Sequence, residues 1–154
     1  MARPTVAILT LHPAPYRLML FEELAKDKDY RFVPLIVFAG ADQGRGAWPL
    51  PSCERFDYRH ARALQLPFLR KSAGDPAGSL FAPTAFGELL RLRPDVVIYP
   101  EFGPTAALAL AYGRLFRKPL LLSSDASQEG VAPINGLRRW QRRFVLGQSK
   151  GAIA

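Results

Sequence analysis

Thr5 to Leu11 reads TVAILTL, apolar without alternation, and is broken at once by His12-Pro13-Ala14-Pro15. The run is too short for a membrane span, and as a strand it has no wet face. Such a strand must be covered on both sides, as in a parallel sheet flanked by helices. A second strand is predicted at Arg31 to Phe38 (RFVPLIVF), where Pro34 argues against a fully paired central position. Further strands are predicted at Val96 to Tyr99 and at Pro119 to Ser123, and Ala152 to Ala154 begins another. A short third strand is expected at Cys53 to Tyr58.

Helical patterns lie between these runs. Pro15 suits a first helical turn. Tyr16, Met19, Leu20 and Leu24 recur at helical spacing, which predicts a helix to about Lys26. Pro83 to Leu92 is predicted helical, ending at Arg93-Pro94-Asp95, and Thr105 opens another helix to about Phe116. A basic helix is expected from about Ile134 to Leu146, with Gly147 as its cap. Ala39 to Pro51 and Leu66 to Ser79 read as loops. Strand alternating with helix predicts an α/β fold: a Rossmann-like open, mostly parallel sheet with helices on both faces.

The 154 residues suit a single domain, and 49% hydrophobic content excludes a disordered chain. A stop inside an apolar strand points to a boundary ahead of a second domain. The single cysteine, Cys53, can build neither a disulfide framework nor a cysteine-rich zinc site. His12 and His60 make no metal-site case, so no metal is expected. No long apolar segment or signal peptide is present, which predicts a cytoplasmic protein. The net charge is +8, and sixteen of the 21 basic residues are arginine. Such a surface attracts phosphates or acidic headgroups, or simply keeps the protein soluble. No nucleic-acid motif accompanies the charge.

In an open parallel sheet, ligands bind outside the carboxyl ends of the strands. After the first strand come His12, Pro15, Tyr16 and Arg17, which form either a substrate-binding turn or only a rigid connection. No Gly-x-Gly-x-x-Gly or P-loop pattern is present there, which disfavours a dinucleotide or nucleotide-hydrolysing site and leaves no cofactor expected. After Val96 to Tyr99 come Glu101 and Gly103, with Glu101 either a catalytic base or a solvated carboxylate. After the Pro119 strand come Ser124 and Asp125, the latter either a catalytic or substrate contact or a helix cap. Arg138, Arg139, Arg142 and Arg143 flank the stripe Leu137, Trp140, Phe144. That pattern fits a membrane- or phosphate-binding helix, or a packed helix with a solvated face.

Leu9 to Leu24 (LTLHPAPYRLMLFEEL) resembles the first strand, loop and helix of family-4 glycosyltransferases. Leu92 to Gly103 (LRPDVVIYPEFG), the stretch AYGRLFRKPLLLSSDAS and the final LGQSKGAIA resemble later elements of the same half. The resemblance covers most of the chain but only the N-terminal half of such an enzyme, and Ala39 to Ser79 matches nothing specific. It implies one half of the two-domain GT-B fold, and a retaining transfer from a nucleotide-sugar co-substrate to a glycan or lipid-linked acceptor. It also implies that the donor is held mainly by a second domain, and that this half is inactive alone. Many relatives carry a glycine-rich loop where this chain has His12-Pro13-Ala14-Pro15. The alternative is a non-enzymatic basic module for an anionic membrane or phosphorylated glycan, peripheral at the inner membrane face.

Overall fold

The computed structural model describes residues 3–11, 13–38, 55–65, 80–100, 104–123, 143, 147 and 149–153. The elements run β1 (Thr5–Thr10), α1 (Pro15–Leu24), β2 (Arg31–Phe38), β3 (Arg59–Arg62), β4 (Leu64–Gln65), β5 (Leu80–Phe81), α2 (Pro83–Leu92), β6 (Val96–Pro100), α3 (Pro104–Phe116), β7 (Leu120–Ser123) and β8 (Gly151–Ile153). Six strands form one sheet in the order β3-β2-β1-β6-β7-β8, and every pairing in it is parallel. β4 and β5 make a separate antiparallel pair.

This is the Rossmann order, in which the chain moves outward from β1 to one side and then from β6 to the other. Ala7, Leu9, Leu35, Val37, Val97 and Tyr99 share one sheet face, buried against Ala85 and Leu89 of α2 and Ala106, Ala109 and Leu110 of α3. Alternation along β1 turns Thr10 to the opposite face from Leu9. α1 reaches Thr10 through Arg17, so α1 lies on that second face. Right-handed crossovers in two directions give this two-sided result.

Several boundaries differ from the sequence reading. The third strand is β3, not Cys53 to Tyr58; residues 55–58 form no strand. β2 sits inside the sheet despite Pro34. Its pairing to β3 starts only at Leu35↔Arg59, so Pro34 falls where no β3 partner demands its missing N–H. The stripe Tyr16, Met19, Leu20 marks the helix but is not its buried face. These residues are 63%, 69% and 53% exposed, and Phe21 packs inward on Phe56 with ring centroids 5.9 Å apart. Gly147 is itself helical rather than beyond a helix end. The rest of the predicted basic helix, the predicted loops and Cys53 lie outside the described residues.

α2 and α3 each end on an arginine in the left-handed region, Arg93 at φ 49° and Arg117 at φ 53°. A residue with a Cβ pays roughly 1–2 kcal/mol there that glycine does not. Two helix-interior glycines behave oppositely. A Cβ on Gly87 of α2 meets nothing within 4 Å, so Gly87→Ala should stabilise by about 1 kcal/mol through helix propensity. A Cβ on Gly113 of α3 would sit 2.6 Å from the buried Leu120 side chain. Overpacking of this kind costs about 1–3 kcal/mol and outweighs the same propensity gain. Thermal unfolding of the two variants should therefore shift in opposite directions.

The amino-terminal edge of the sheet is latched by Asp95. Its carboxylate accepts from the Thr5 N–H at 2.9 Å and from Lys118 Nζ at 3.1 Å, and its own N–H donates to Thr5 O at 2.7 Å. The Thr5 bond first, then Lys118, hold its carboxyl below the ordinary carboxylate pKa. A depressed folded-state pKa stabilises the fold only while the group is ionised. That contribution should be complete above the ordinary carboxylate range and fade as pH falls below about 4. Asp95→Asn should remove this acid-side dependence and cost about 1 kcal/mol at neutral pH, since the group is half exposed. Urea unfolding at a series of pH values checks both. At the other side of the sheet Tyr99, buried on β6, shares a 2.8 Å hydrogen bond with Ser149 just ahead of β8. Burial pushes its phenol pKa up, and the hydrogen bond with Ser149 opposes part of that rise.

Candidate functional site

β1 and β6 are neighbours, yet the chain leaves them in opposite directions. The crevice between two such carboxyl ends is the topological switch point, where open α/β sheets place ligands. β1 ends at Thr10 and β6 at Pro100, and the two strands run in register from Val6↔Val96 to Ile8↔Ile98. The carboxyl ends of β1 and β6, from which the next segments start, therefore lie side by side.

The first of these segments is built locally by its prolines. Pro13 and Ala14 are buried. Ala14 is extended at φ −60°, ψ 143°, and caps α1 without a side chain, as a residue ahead of proline should. Its carbonyl accepts from Arg17 N at 2.9 Å and Leu18 N at 3.1 Å. Pro15 follows at the first helical position, where its missing N–H costs nothing. The turn so formed sets Arg17 beside the end of β1.

Arg17 is held there by two side chains. Its Nη1 donates to Thr10 Oγ1 at 2.9 Å, and its Nε donates to the Tyr16 hydroxyl at 3.0 Å. The guanidinium lies 5.7 Å from the Tyr16 ring centroid, within cation–π range. Thr10 is fully buried, so its hydroxyl requires a partner, and Arg17 supplies one. A free arginine carries about 2 kcal/mol of rotamer entropy. Fixing it before a ligand arrives spares the ligand that cost. The result is a guanidinium charge fixed in place at the switch point, where it can meet a phosphate or carboxylate.

Thr10 was not among the residues that sequence reading singled out. The available signal was a lone hydroxyl closing an apolar strand on the face opposite Leu9. Thr105, also buried, has a structural task instead: its Oγ1 accepts from Ala82 N at 3.3 Å, tying the start of α3 to the entry of α2.

Of the expected site residues, the structure brings Pro15, Tyr16 and Arg17 together at this crevice, with Pro15 and Tyr16 exposed and Arg17 partly buried. His12, Glu101, Gly103, Ser124 and Asp125 lie outside the described residues, as do Arg138, Arg139 and Arg142. Arg143 is helical and exposed. Among the described residues no three His, Cys, Asp or Glu side chains converge on a point that would hold a metal. No helix among them is long and apolar enough to cross a membrane.

No family model matches the chain, and no curated protein matches its sequence. Among solved structures, the UDP-GlcNAc 2-epimerase of Methanocaldococcus jannaschii aligns over 99% of this chain and 39% of its own length, with 13% identity and a TM-score of 0.48. MurG of Acinetobacter baumannii aligns over 97% of this chain and 40% of its own length, with 11% identity and a TM-score of 0.55. The chain thus spans well under half of either protein. At such identity the likeness concerns the fold, and the MurG match agrees with the strand order: this is a Rossmann-like α/β domain of the GT-B type.

Proposed function

We propose that this chain is the acceptor-side half of a glycosyltransferase. It would take part in moving a sugar from a nucleotide-sugar donor to a glycan or lipid-linked acceptor, with retention of anomeric configuration. A second domain would hold most of the donor, and the chain would work in the cytoplasm. The observation that supports this most is the restrained Arg17 at the switch point. Sugar transfer from a nucleotide diphosphate leaves negative charge on the departing phosphate. A cation fixed in advance beside the crevice stabilises that charge without having to reorganise. The GT-B-type fold and the family-4 resemblance of Leu9 to Leu24 point the same way.

In this reading Glu101, which follows the adjacent strand, orients or deprotonates the acceptor hydroxyl. Asp125, Ser124, Gly103 and His12, which follow strand ends in the sequence, would contact the substrates, and Tyr16 would border the acceptor. The test is a transfer assay on the full-length protein with a panel of nucleotide sugars, following nucleotide release and sugar-bearing product by mass spectrometry. Sugar-dependent nucleotide release is expected with at least one donor, and Glu101→Gln should lower it by roughly a hundredfold. Wild-type turnover in that variant would remove Glu101 from the site. No binding or turnover with any nucleotide sugar would remove the glycosyltransferase reading itself.

A further inference from the structure

The carboxyl edge of the sheet holds a second exposed cation, Arg62, the last residue of β3. Thr10, Ile36 and His60 stand in one row across β1, β2 and β3, and Arg62 lies two residues beyond that row, opposite Phe38. Ala61 is buried on the α2 face of the sheet with Leu35 and Val37. Alternation therefore puts Arg62 on the other face, the one that carries Thr10 and Arg17. Two strand spacings, about 10 Å, and two residues of rise, about 7 Å, separate it from Thr10. α1 leaves this corner open. It starts beside the end of β1, and Phe21 already packs on Phe56, ahead of β3 at the opposite edge. The helix thus slants toward the start of β3 and away from its end.

The backbone of Arg62 is held on both sides. β2 pairs with it, and its carbonyl accepts from Thr84 Oγ1 at 3.2 Å, at the entry of α2. Ala63, the next residue, is buried. The guanidinium, by contrast, has no hydrogen bond or ion pair among the described residues. The carboxylates of the neighbouring elements, Glu22, Asp57 and Glu88, pair with Arg55, Arg31 and Arg91, so none of them neutralises Arg62. Protection of an edge strand asks for a charge on β3, and exposed Arg59 supplies one at the strand's start. A firmly mounted, unneutralised arginine at the ligand-binding edge has the form of a recognition group for an anion. Arg17 is held at the end of β1 by Thr10 and Tyr16, so the two cations address different groups.

We propose that Arg62 binds an anionic substituent of the acceptor, a carboxylate or a phosphate carried on its sugar. The acceptor then lies along the carboxyl edge, from β3 across β2 to the crevice. This rests on the acceptor-side reading given above and narrows it to an acidic acceptor. Two negatively charged substrates repel each other when brought together, and a separate cation for each offsets that repulsion. The planar fork of arginine suits either anion, because it can bond two oxygens at once.

The test is ligand-observed NMR on the full-length protein. The probes are hexuronic acids and hexose 6-phosphates of gluco, galacto and manno configuration, their neutral methyl hexosides, and inorganic phosphate. At least one acidic probe should bind wild type about tenfold or more tightly than its neutral match. Arg62→Gln should erase that preference, and Arg62→Lys, which keeps the charge without the fork, should restore part of it. Arg59→Gln, at the other end of β3 and on its other face, should leave it whole. Arg62 and Arg59 are exposed, so all three variants should melt with wild type. A preference among the uronic acids assigns a carboxylate, and one among the hexose phosphates a phosphate. No acidic preference in wild type, a preference kept in Arg62→Gln, or an equal loss in Arg59→Gln overturns the proposal. So does inorganic phosphate bound as tightly as the hexose phosphates, which would mark a bare anion site. Nucleotide-sugar affinity should be unchanged in Arg62→Gln, and a loss would place Arg62 on the donor and overturn the proposal. If no nucleotide sugar binds while the Arg62-dependent preference stands, the glycosyltransferase reading fails and the acidic-sugar site remains. The opposite pair of results strikes the Arg62 site alone.

Discussion

Leu89→Ala is expected to cost about 3 kcal/mol of folding stability, whereas Leu90→Ala, one residue on, should stay within about 0.5 kcal/mol. Leu89 is fully buried in the core that joins α2 and α3 to the sheet, while Leu90 is 40% exposed. α2 is also the element that carries the chain from the β3 side of the sheet to β6, across the reversal that creates the crevice. A cavity at Leu89 would loosen that crossing, and the loss is a large share of an ordinary domain's stability. Urea unfolding of the two variants measures the contrast. A Leu89→Ala midpoint near that of Leu90→Ala would mean that α2 is not seated as described.

The helix itself was legible in the sequence, because α2 has clean signals at both ends. Pro83 opens it, Arg93-Pro94 closes it, and Ala85 and Leu89 repeat at helical spacing. The apolar runs of β1, β2, β6 and β7 were equally legible, since strands covered on both faces leave no polar alternation to misread. β3 was missed for the opposite reason. Its sequence is Arg59-His60-Ala61-Arg62, with only Ala61 buried, and nothing apolar announces it. β4 and β5 are two residues each, below the length at which any period can show. α1 was located by spacing alone, which left open which of its stripes is buried. Tyr16, Met19 and Leu20 face outward, and the periodic argument has no means of telling which stripe a partner covers.

The candidate site was legible in position more than in detail. Strand ends in an alternating α/β chain mark where ligands go, and this alone pointed to Pro15, Tyr16 and Arg17. What the sequence does not contain is the contact between residues seven apart that fixes Arg17. Thr10 looks like one more β-branched strand residue until its burial and its hydrogen bond are seen together. Asp95 shows the converse. As a carboxylate beside a predicted strand it might have served any site, yet the fold places it at the far edge, spent on Thr5 and Lys118.

Thr10 and Arg17 therefore carry the sharpest functional expectation. If the fixed guanidinium stabilises departing phosphate, Arg17→Ala should lower transfer by roughly a hundredfold, mostly in kcat, since the charge it meets is largest in the transition state. Arg17→Lys keeps the charge but loses the planar fork that reaches Thr10 and Tyr16 together, and should recover only part of that loss. Thr10→Val preserves shape and removes only the acceptor, so the guanidinium loses its hold at the end of β1. A cost of about tenfold is expected, with Thr10→Ser close to wild type. Because Thr10 acts through Arg17, the double variant Thr10→Val with Arg17→Ala should be no slower than Arg17→Ala alone. Steady-state kinetics on the four single variants and the double variant, with melting curves alongside, separates this from a structural role. Additive losses in the double variant, or a Thr10→Val defect that tracks its melting temperature and not kcat, would mean that Thr10 serves the fold and not the arginine.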